Sequence, residues 1–464
     1  MTVPIDLLKQ PLAWLQPVFI PLLDDLQANI LKGHGRPNTL QLLLRLPHTA
    51  AVPLRTAIAA LPVTSARQQL DDADSHRLNN TDGGPVALFL LARTGYAALD
   101  VAIARTPNSA AFSEGMANRA GLRDRPAETW EEPYQGGVDA MLIVAAATPT
   151  AAAAALAPMQ VALTRAGAIV VGTETGAALV RDGQGVEHFG YVDGRSQPLM
   201  LADEVDREQG AQGEAFVWDP GFGPLDTALV RDPGGATEDS YGSYMVFRKL
   251  EQNVDGFLTA ETDLADQLLL MTPDARTLAG ALIVGRFRDG TPVVTAKRPS
   301  GATAAANNFG YGGDPTGTRC PFQAHIRKAN PRGDSVPLGA TLEAERSHLM
   351  PRRGIPYGAR AADMSDRPAS GVGLLFMAYN NSLERQFEFT QSAWANNSGF
   401  ARHDTGRDPV IGTGAAGHQW PRAWDDPTAG KLAFDFDSFV RLRGGEYFFA
   451  PSLSFIRGLT ARPD

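Results

Sequence analysis

The stretch Glu187-His188-Phe189-Gly190-Tyr191-Val192-Asp193-Gly194-Arg195 confines one carboxylate between glycines, beside aromatics and next to an arginine. A carboxylate in such a place can take a proton and return it, as a general acid–base. The competing reading is a turn aspartate, since Asp-Gly is a common turn pair. The G-x-x-D-G spacing favours the more constrained site. With no β-carbon on either flank, the backbone can approach a flat ligand closely and the Asp193 carboxylate can project into a cleft. Arg352 and Arg353, in HLMPRRGIPYG, are a second candidate. A guanidinium stays charged and offers a fixed fork of donors. It can therefore stabilise charge growing on an oxygen while an O–O bond breaks. The plain alternative is a basic pair on a surface loop.

The chain has eight histidines: His34, His48, His76, His188, His325, His348, His403 and His418. No HxxxH, HxH or HExxH pairing occurs, which argues against a histidine-rich non-haem metal site. One histidine is nevertheless enough for an axial haem ligand. The single cysteine, Cys320, rules out an intrachain disulfide and a Cys/His zinc site, and reads as a small buried residue.

The elements that must position these groups show in the apolar runs. Strands are expected over Thr39–Pro47, Pro85–Arg93, Gly137–Ala147 and Gly167–Gly176, with helices over Thr49–Leu61, Thr94–Ile103 and Thr150–Gly167. The second half echoes this order. Strands are expected at Gly242–Leu250 and Gly371–Asn380, helices at Glu251–Met271 and Ser382–Asn397, the latter capped by its serine. Asp437–Phe449 is expected to end in a strand pair. The Gly/Pro/Asn-rich stretches 299–341 and 398–430 are long enough to carry function. The chain thus reads as an α+β protein of two ferredoxin-like halves, antiparallel sheets with helices, residues 1–215 and 216–464.

Composition narrows the function further. A net charge of −9 argues against nucleic acid or an anionic membrane as the main partner. The N-terminus is apolar but broken by Pro4, Pro11, Pro17 and Pro21, and lacks a basic leader region. No apolar run is long enough for a membrane span. A cytoplasmic protein is the expectation.

Six stretches together resemble the dye-decolourising peroxidases, a haem enzyme family, in its larger bacterial and fungal branch. They are LQANILKGHGR, FGYVDGRSQP, RCPFQAHIRKANPR, RRGIPYG, GLLFMAYNNSLERQFEFTQSAWANN and GGEYFFAPS, running from Leu26 to Ser452. G-x-x-D-G alone is weak; all six in this order are specific. The resemblance implies a duplicated ferredoxin-like fold, dimeric α+β barrel-like, with haem b (iron protoporphyrin IX) as cofactor. It implies His325 as the proximal iron ligand and Asp193 as the distal acid–base. Arg352, four residues before Pro356, is implied as the distal arginine in preference to Arg353. Arg332, seven residues after His325, would pair with a haem propionate, assisted by Arg195. Leu374 and Phe376 would form the apolar distal wall, since alternate residues of a strand share a face. A carboxylate should support His325 through its other nitrogen; Asp435, Asp437 and Glu384 are the candidates. Gly354 stands where some members carry an asparagine, so no mechanism needing that amide is expected.

The implied activity is reduction of hydrogen peroxide and one-electron oxidation of dyes, phenolics or other bulky aromatic reductants through Compound I. Asp193 has a low ordinary pKa, so an acidic optimum is expected. Trp394, Trp420, Trp424, Tyr379 and Tyr447 are candidate electron relays, each against the simpler reading of a packed hydrophobe. The alternative function is a haem storage, sensing or iron-release protein with incidental peroxidase activity. A haem-free interaction module is a third. The physiological reductant and the oligomeric state are left open.

Overall fold

The computed structural model describes residues 5–212, 217–221, 223–301, 307–414 and 416–460. Its strands form where the sequence is apolar on both faces. β1 (Asn38–Arg45), β2 (Val86–Leu91), β3 (Ala140–Ala146) and β4 (Ile169–Ala177) come first. A short hairpin, β5 (Leu179–Arg181) with β6 (Gln184–Val186), and the brief β7 (Val230–Arg231) follow. Then come β8 (Tyr241–Gln252), β9 (Ile355–Tyr357) and β10 (Gly373–Asn380). The chain continues through the pair β11 (Gln419–Pro421) and β12 (Lys431–Ala433) to β13 (Val440–Ala450).

The main sheet runs β4-β1-β3-β2-β13-β8-β10-β9, antiparallel at every pairing, with β7 beside β8. Its first four strands have the order 4-1-3-2. If β8, β9, β10 and β13 are counted as strands one to four, the remaining stretch has the order 4-1-3-2 as well. Helices occupy corresponding crossovers: Ala51–Ala59 and Ala66–Asn79 after β1, Pro149–Arg165 after β3, Val254–Gln267 and Pro273–Val284 after β8. This is the ferredoxin-like β-α-β-β-α-β pattern twice over, and the fold is a duplicated α+β one. The two sets of strands run on as one sheet where Phe449 of β13 pairs with Leu91 of β2. The boundary expected between residues 215 and 216 lies outside the described residues.

Both faces of the sheet are buried, which explains the unbroken apolar runs. On β2, Val86, Leu88 and Leu90 pack with Leu22, Leu23 and Leu26 of the N-terminal segment. Ala87, Phe89 and Leu91 pack on the other face with Leu54, Ile58 and Leu156 of the helices. On β10 the same alternation sends Leu375 and Met377 into the first core and turns Leu374 and Phe376 the other way. A third core, with Phe257, Leu282, Phe309 and Trp420, fills the space between the second-half helices and the late loops.

Two expectations need correcting. Asp437–Phe449 does not end in a strand pair: Val440–Ala450 is one strand, and Gly444-Gly445 lies inside it. Its register on β8 shifts between Leu442 and Gly444, a bulge that absorbs Arg443. Gly444 is needed there because a β-carbon would sit 2.1 Å from the Tyr134 ring. The expected helix Ser382–Asn397 is wound as two π-helical stretches, Glu384–Glu388 and Thr390–Ala395. Such widened turns are frequent at functional sites, and here Phe387, Thr390 and Gln391 line the main cleft. Among the described residues, no helix is long and apolar enough to cross a membrane.

β13 also buries a carboxyl group that should make stability depend on pH. Glu446 Oε1 accepts hydrogen bonds from Tyr447 N (2.8 Å) and Met116 N (3.1 Å). Burial outweighs both and pushes its pKa from 4.5 up to about 7. Between those values the folded chain holds a proton that the unfolded chain has lost, so stability falls as pH rises through this window. Glu446→Gln keeps an acceptor and removes the charge. Its melting temperature is expected to fall less over that pH range than the wild type's. Melting curves of equal slope against pH would refute the assignment.

Candidate active site

A cleft opens on the Leu374/Phe376 face of the sheet, roofed by residues of the late loops. Its empty space, mouth included, is about 1560 Å³, room for a large flat ligand. Leu250, Val284, Leu374, Phe376, Val410 and Ile411 give it apolar walls. Its polar groups come from segments far apart in the chain, among them residues 193–196, Arg286, residues 325–332, Arg352 and residues 390–391.

His325 begins a short helix, His325–Ala329, and reaches the cleft from the long loop before it. Its Nδ1 is 2.8 Å from Asp408 Oδ2. Asp408 is fully buried, and its Oδ1 accepts from Val410 N (2.7 Å) and Ile411 N (3.0 Å). Burial alone would raise the Asp408 pKa, but His325 and these amides hold it below the ordinary value. Burial likewise disfavours charged His325, and Asp408 outweighs it, so the imidazole is more basic than usual. With Nδ1 engaged, Nε2 remains as the cleft-side donor and makes no hydrogen bond among the described residues. This orienting carboxylate is none of the expected three. Glu384 binds Ser109 Oγ and Ala111 N, Asp435 accepts from His418 N, and Asp437 caps Ser438 N.

Asp193 also lines the cleft. Its Oδ1 accepts from Gly194 N at 2.6 Å and lies 3.9 Å from Arg352 Nη1. The other carboxylate oxygen makes no hydrogen bond or ion pair among the described residues, and the side chain is 38% exposed, open to a small molecule. Gly190 and Gly194 have φ of +90° and +76°, left-handed values that explain both glycines directly. Arg352 is held by Gln197 Oε1 through its amide and by Arg195 O through Nη2, leaving Nη1 toward Asp193. Arg353 is used elsewhere: it donates to Asn29 O, Ile30 O and Arg352 O, pinning the N-terminal segment. The geometry thus separates two adjacent arginines that spacing alone cannot. Gly354 packs against Leu375 O and Leu374 and contributes no polar group.

Arg332 lines the cleft from a left-handed residue, φ +50°. Its donors go to Asn307 O, Phe309 O, Ser196 Oγ and Asn307 Oδ1, all neutral oxygens. Burial, together with the nearby Arg286 and Arg346, pushes its pKa down to about 9. Arg286 shares the Ser196 hydroxyl at 3.0 Å and is pushed down to about 10, chiefly by burial. Arg195 reaches Gln184 Oε1 at 2.7 Å. Several guanidiniums at one rim, one of them buried among neutral partners, call for an anionic ligand. An apolar flat cleft, a free imidazole nitrogen with a carboxylate behind it, and cations at the rim fit a haem with its iron and two carboxylates.

The structure therefore brings His325, Asp193, Arg352, Arg332, Arg195, Leu374 and Phe376 around one cleft. Sequence reasoning missed Asp408, Ser196, Asn307 and Arg286. Of the five aromatic relay candidates, none lines the cleft, and Trp394, Trp420, Tyr379 and Tyr447 are buried. Trp424 is partly buried, with its indole N–H on Val293 O. Cys320 is fully buried, as expected.

Fold and cleft together define a haem-dependent peroxidase. The chain is 42% identical to the multifunctional dye peroxidase DyP2 of Amycolatopsis sp. over 94% of its length and 96% of that protein's. It is 31% identical to a dye-decolorizing peroxidase of Auricularia auricula-judae, over 94% of this chain and 86% of that one. The crystal structure of a DyP-type peroxidase from Anabaena sp. superposes with a TM-score of 0.94 at 38% identity, covering 99% of this chain and all of that one. No protein-family model matches. The chain belongs to the dye-decolourising peroxidase family.

Proposed function

We propose that this peroxidase uses haem b, with hydrogen peroxide as oxidant and dyes, phenolics or similar aromatic molecules as reductants. His325 would hold the iron through Nε2, with Asp408 fixing the ring and its basicity. Arg332 and Arg195 would take the propionates, and Leu374 and Phe376 would keep bulk water from the peroxide side. The bound haem would supply the two electrons that reduce peroxide to water and would regain them one at a time from the aromatic reductant.

The residues of the chain manage protons and charge. Asp193 accepts a peroxide proton on its unpartnered oxygen and delivers it to the departing oxygen. Gly194 N fixes the other oxygen, so the carboxylate need not reorient. Arg352 directs Nη1 at the negative charge that builds up on the departing oxygen. The observation that supports this reading is that His325, backed by Asp408, and the pair Asp193 and Arg352 meet at one cleft.

Absorption spectra test it. The haem-loaded chain should show a Soret band that changes on one equivalent of peroxide, and His325→Ala should lose or shift that band. A band indifferent to peroxide would instead make the chain a haem carrier or sensor. A band unchanged in His325→Ala would remove His325 as the iron ligand.

A further inference from the structure

Lys328 is an unusual residue to find beside this cleft. It is fully buried, on the same short helix as His325 and three residues on, so the two side chains share a helical face. Among the described residues its ammonium has no carboxylate hydrogen-bond partner. It donates to Asn397 O at 2.6 Å and to Phe400 O, and lies 5.6 Å from the Phe400 ring centroid. Burial pushes its pKa down to about 7, with only partial compensation from Asp408. A buried lysine held by carbonyl oxygens is costly unless it organises something.

What it organises is the loop that delivers Asp408. That loop leaves the second π-helical stretch at Ala395 and returns to it, because Asp408 N donates to Ala395 O at 2.8 Å. Inside the loop, Thr405 N and Gly406 N donate to Ser398 O at 3.3 and 3.2 Å. Asn397 O and Phe400 O turn toward Lys328. His325 and Lys328 therefore grip one loop from one helix: His325 through the Asp408 carboxylate, Lys328 through two main-chain carbonyls.

We propose that Lys328 is a positioning residue for the His325–Asp408 pair. Its ammonium is the template around which residues 395–408 fold, and it fixes Asp408 at hydrogen-bond distance from His325 Nδ1. As an ammonium it also attracts the Asp408 carboxylate electrostatically, which would temper the electron donation of His325. The inference rests on His325 being the iron ligand, but its first readout does not.

The experiment compares wild type with Lys328→Met, Lys328→Gln and Asp408→Asn. Hydrogen exchange of the 395–408 segment is followed by mass spectrometry in the haem-free and haem-loaded chain. Resonance Raman spectra of the reduced, haem-loaded chain then report the iron–histidine stretch. Lys328→Met should lose protection in this segment by about ten- to a hundred-fold, the scale for lost hydrogen bonds from a charged donor. Protection of β8 and β10 should stay unchanged. The stretch should move away from the wild-type frequency, and combining Asp408→Asn with Lys328→Met should add little. Lys328→Gln, which keeps two donors without charge, should recover part of the protection but not the frequency. It also serves as the test if the methionine variant does not fold. Wild-type protection in Lys328→Met, or a Gln variant identical to wild type in both readouts, would overturn the proposal. Lost protection with no iron–histidine stretch in any variant, wild type included, would leave Lys328 organising the loop and would fault the assignment of His325 instead.

Discussion

Asp193→Asn is expected to lower kcat/KM for hydrogen peroxide by about 10²–10⁴-fold, the scale of a lost general acid–base. The substitution is close to isosteric, and the asparagine carbonyl can still accept from Gly194 N, the contact that holds this side chain at 2.6 Å. Asp193 belongs to none of the three cores, so folding and haem uptake should be unaltered. What disappears is the ability of the second oxygen to take a proton. The amide also removes the partner 3.9 Å from Arg352, leaving that cation unopposed beside the cleft. Rapid-mixing measurement of the reaction with peroxide, at matched haem content, checks this. A loss under tenfold would mean that another group moves the proton.

Arg327→Leu should destabilise the folded chain by about 3–5 kcal/mol, the range for removing one partner of a buried ion pair. Arg327 is fully buried and bonds Asp334 through Nε (2.6 Å) and Nη2 (3.0 Å). Its Nη1 bonds Asp314 Oδ2 (2.9 Å) and Cys320 O (2.6 Å). Phe322 and Tyr311 enclose the guanidinium, with ring centroids 4.1 and 4.4 Å away. Leucine would leave the Asp314 carboxylate buried without its cation. Asp314 also receives Thr318 N, Arg319 N and Cys320 N, so the whole approach to His325 is tied to this one charge. Denaturant unfolding of the haem-free chain measures the effect without any contribution from the cofactor. A change below about 1 kcal/mol would show that the segment relaxes and rehydrates the carboxylates.

The parts of the site readable in sequence are those set by short-range spacing. Asp193 was marked by its glycines and His325 by the stretch around it. Leu374 and Phe376 were implied by the family resemblance, and strand alternation put the two on one face. Asp408 was not readable. It reaches His325 across 83 residues, from a glycine-rich loop with no periodicity, and the loop shape comes from carbonyl contacts that leave no residue pattern. The three expected candidates, Asp435, Asp437 and Glu384, were mistaken, since each is engaged with other groups. In the fold, apolar runs revealed the strands because the sheet is covered on both sides. The helix Ala66–Asn79 was missed because it buries only Ala66, Gln69 and Leu70 and so shows little apolar stripe. The helix Pro273–Val284 carried a usable signal that went unread: Thr272 caps Ala275 N and a proline opens the first turn.

The seam between the two halves bears on how the chain is made. β13 is the last strand of the sheet in chain order, yet it lies at the centre, between β2 and β8. During synthesis, β2 therefore emerges some 350 residues before its partner (Val440 follows Leu91 by 349 positions). Until then the seam edge of β2 is open, including Leu91, the one position at which β13 pairs with it; an open apolar edge is the kind that recruits other chains. A nascent or truncated chain ending before Val440 should be dependent on chaperones and prone to aggregate, whatever the integrity of its first half. Closing the sheet becomes a late checkpoint, reached only after the other residues that line the cleft have been made, Val440 being the last of them.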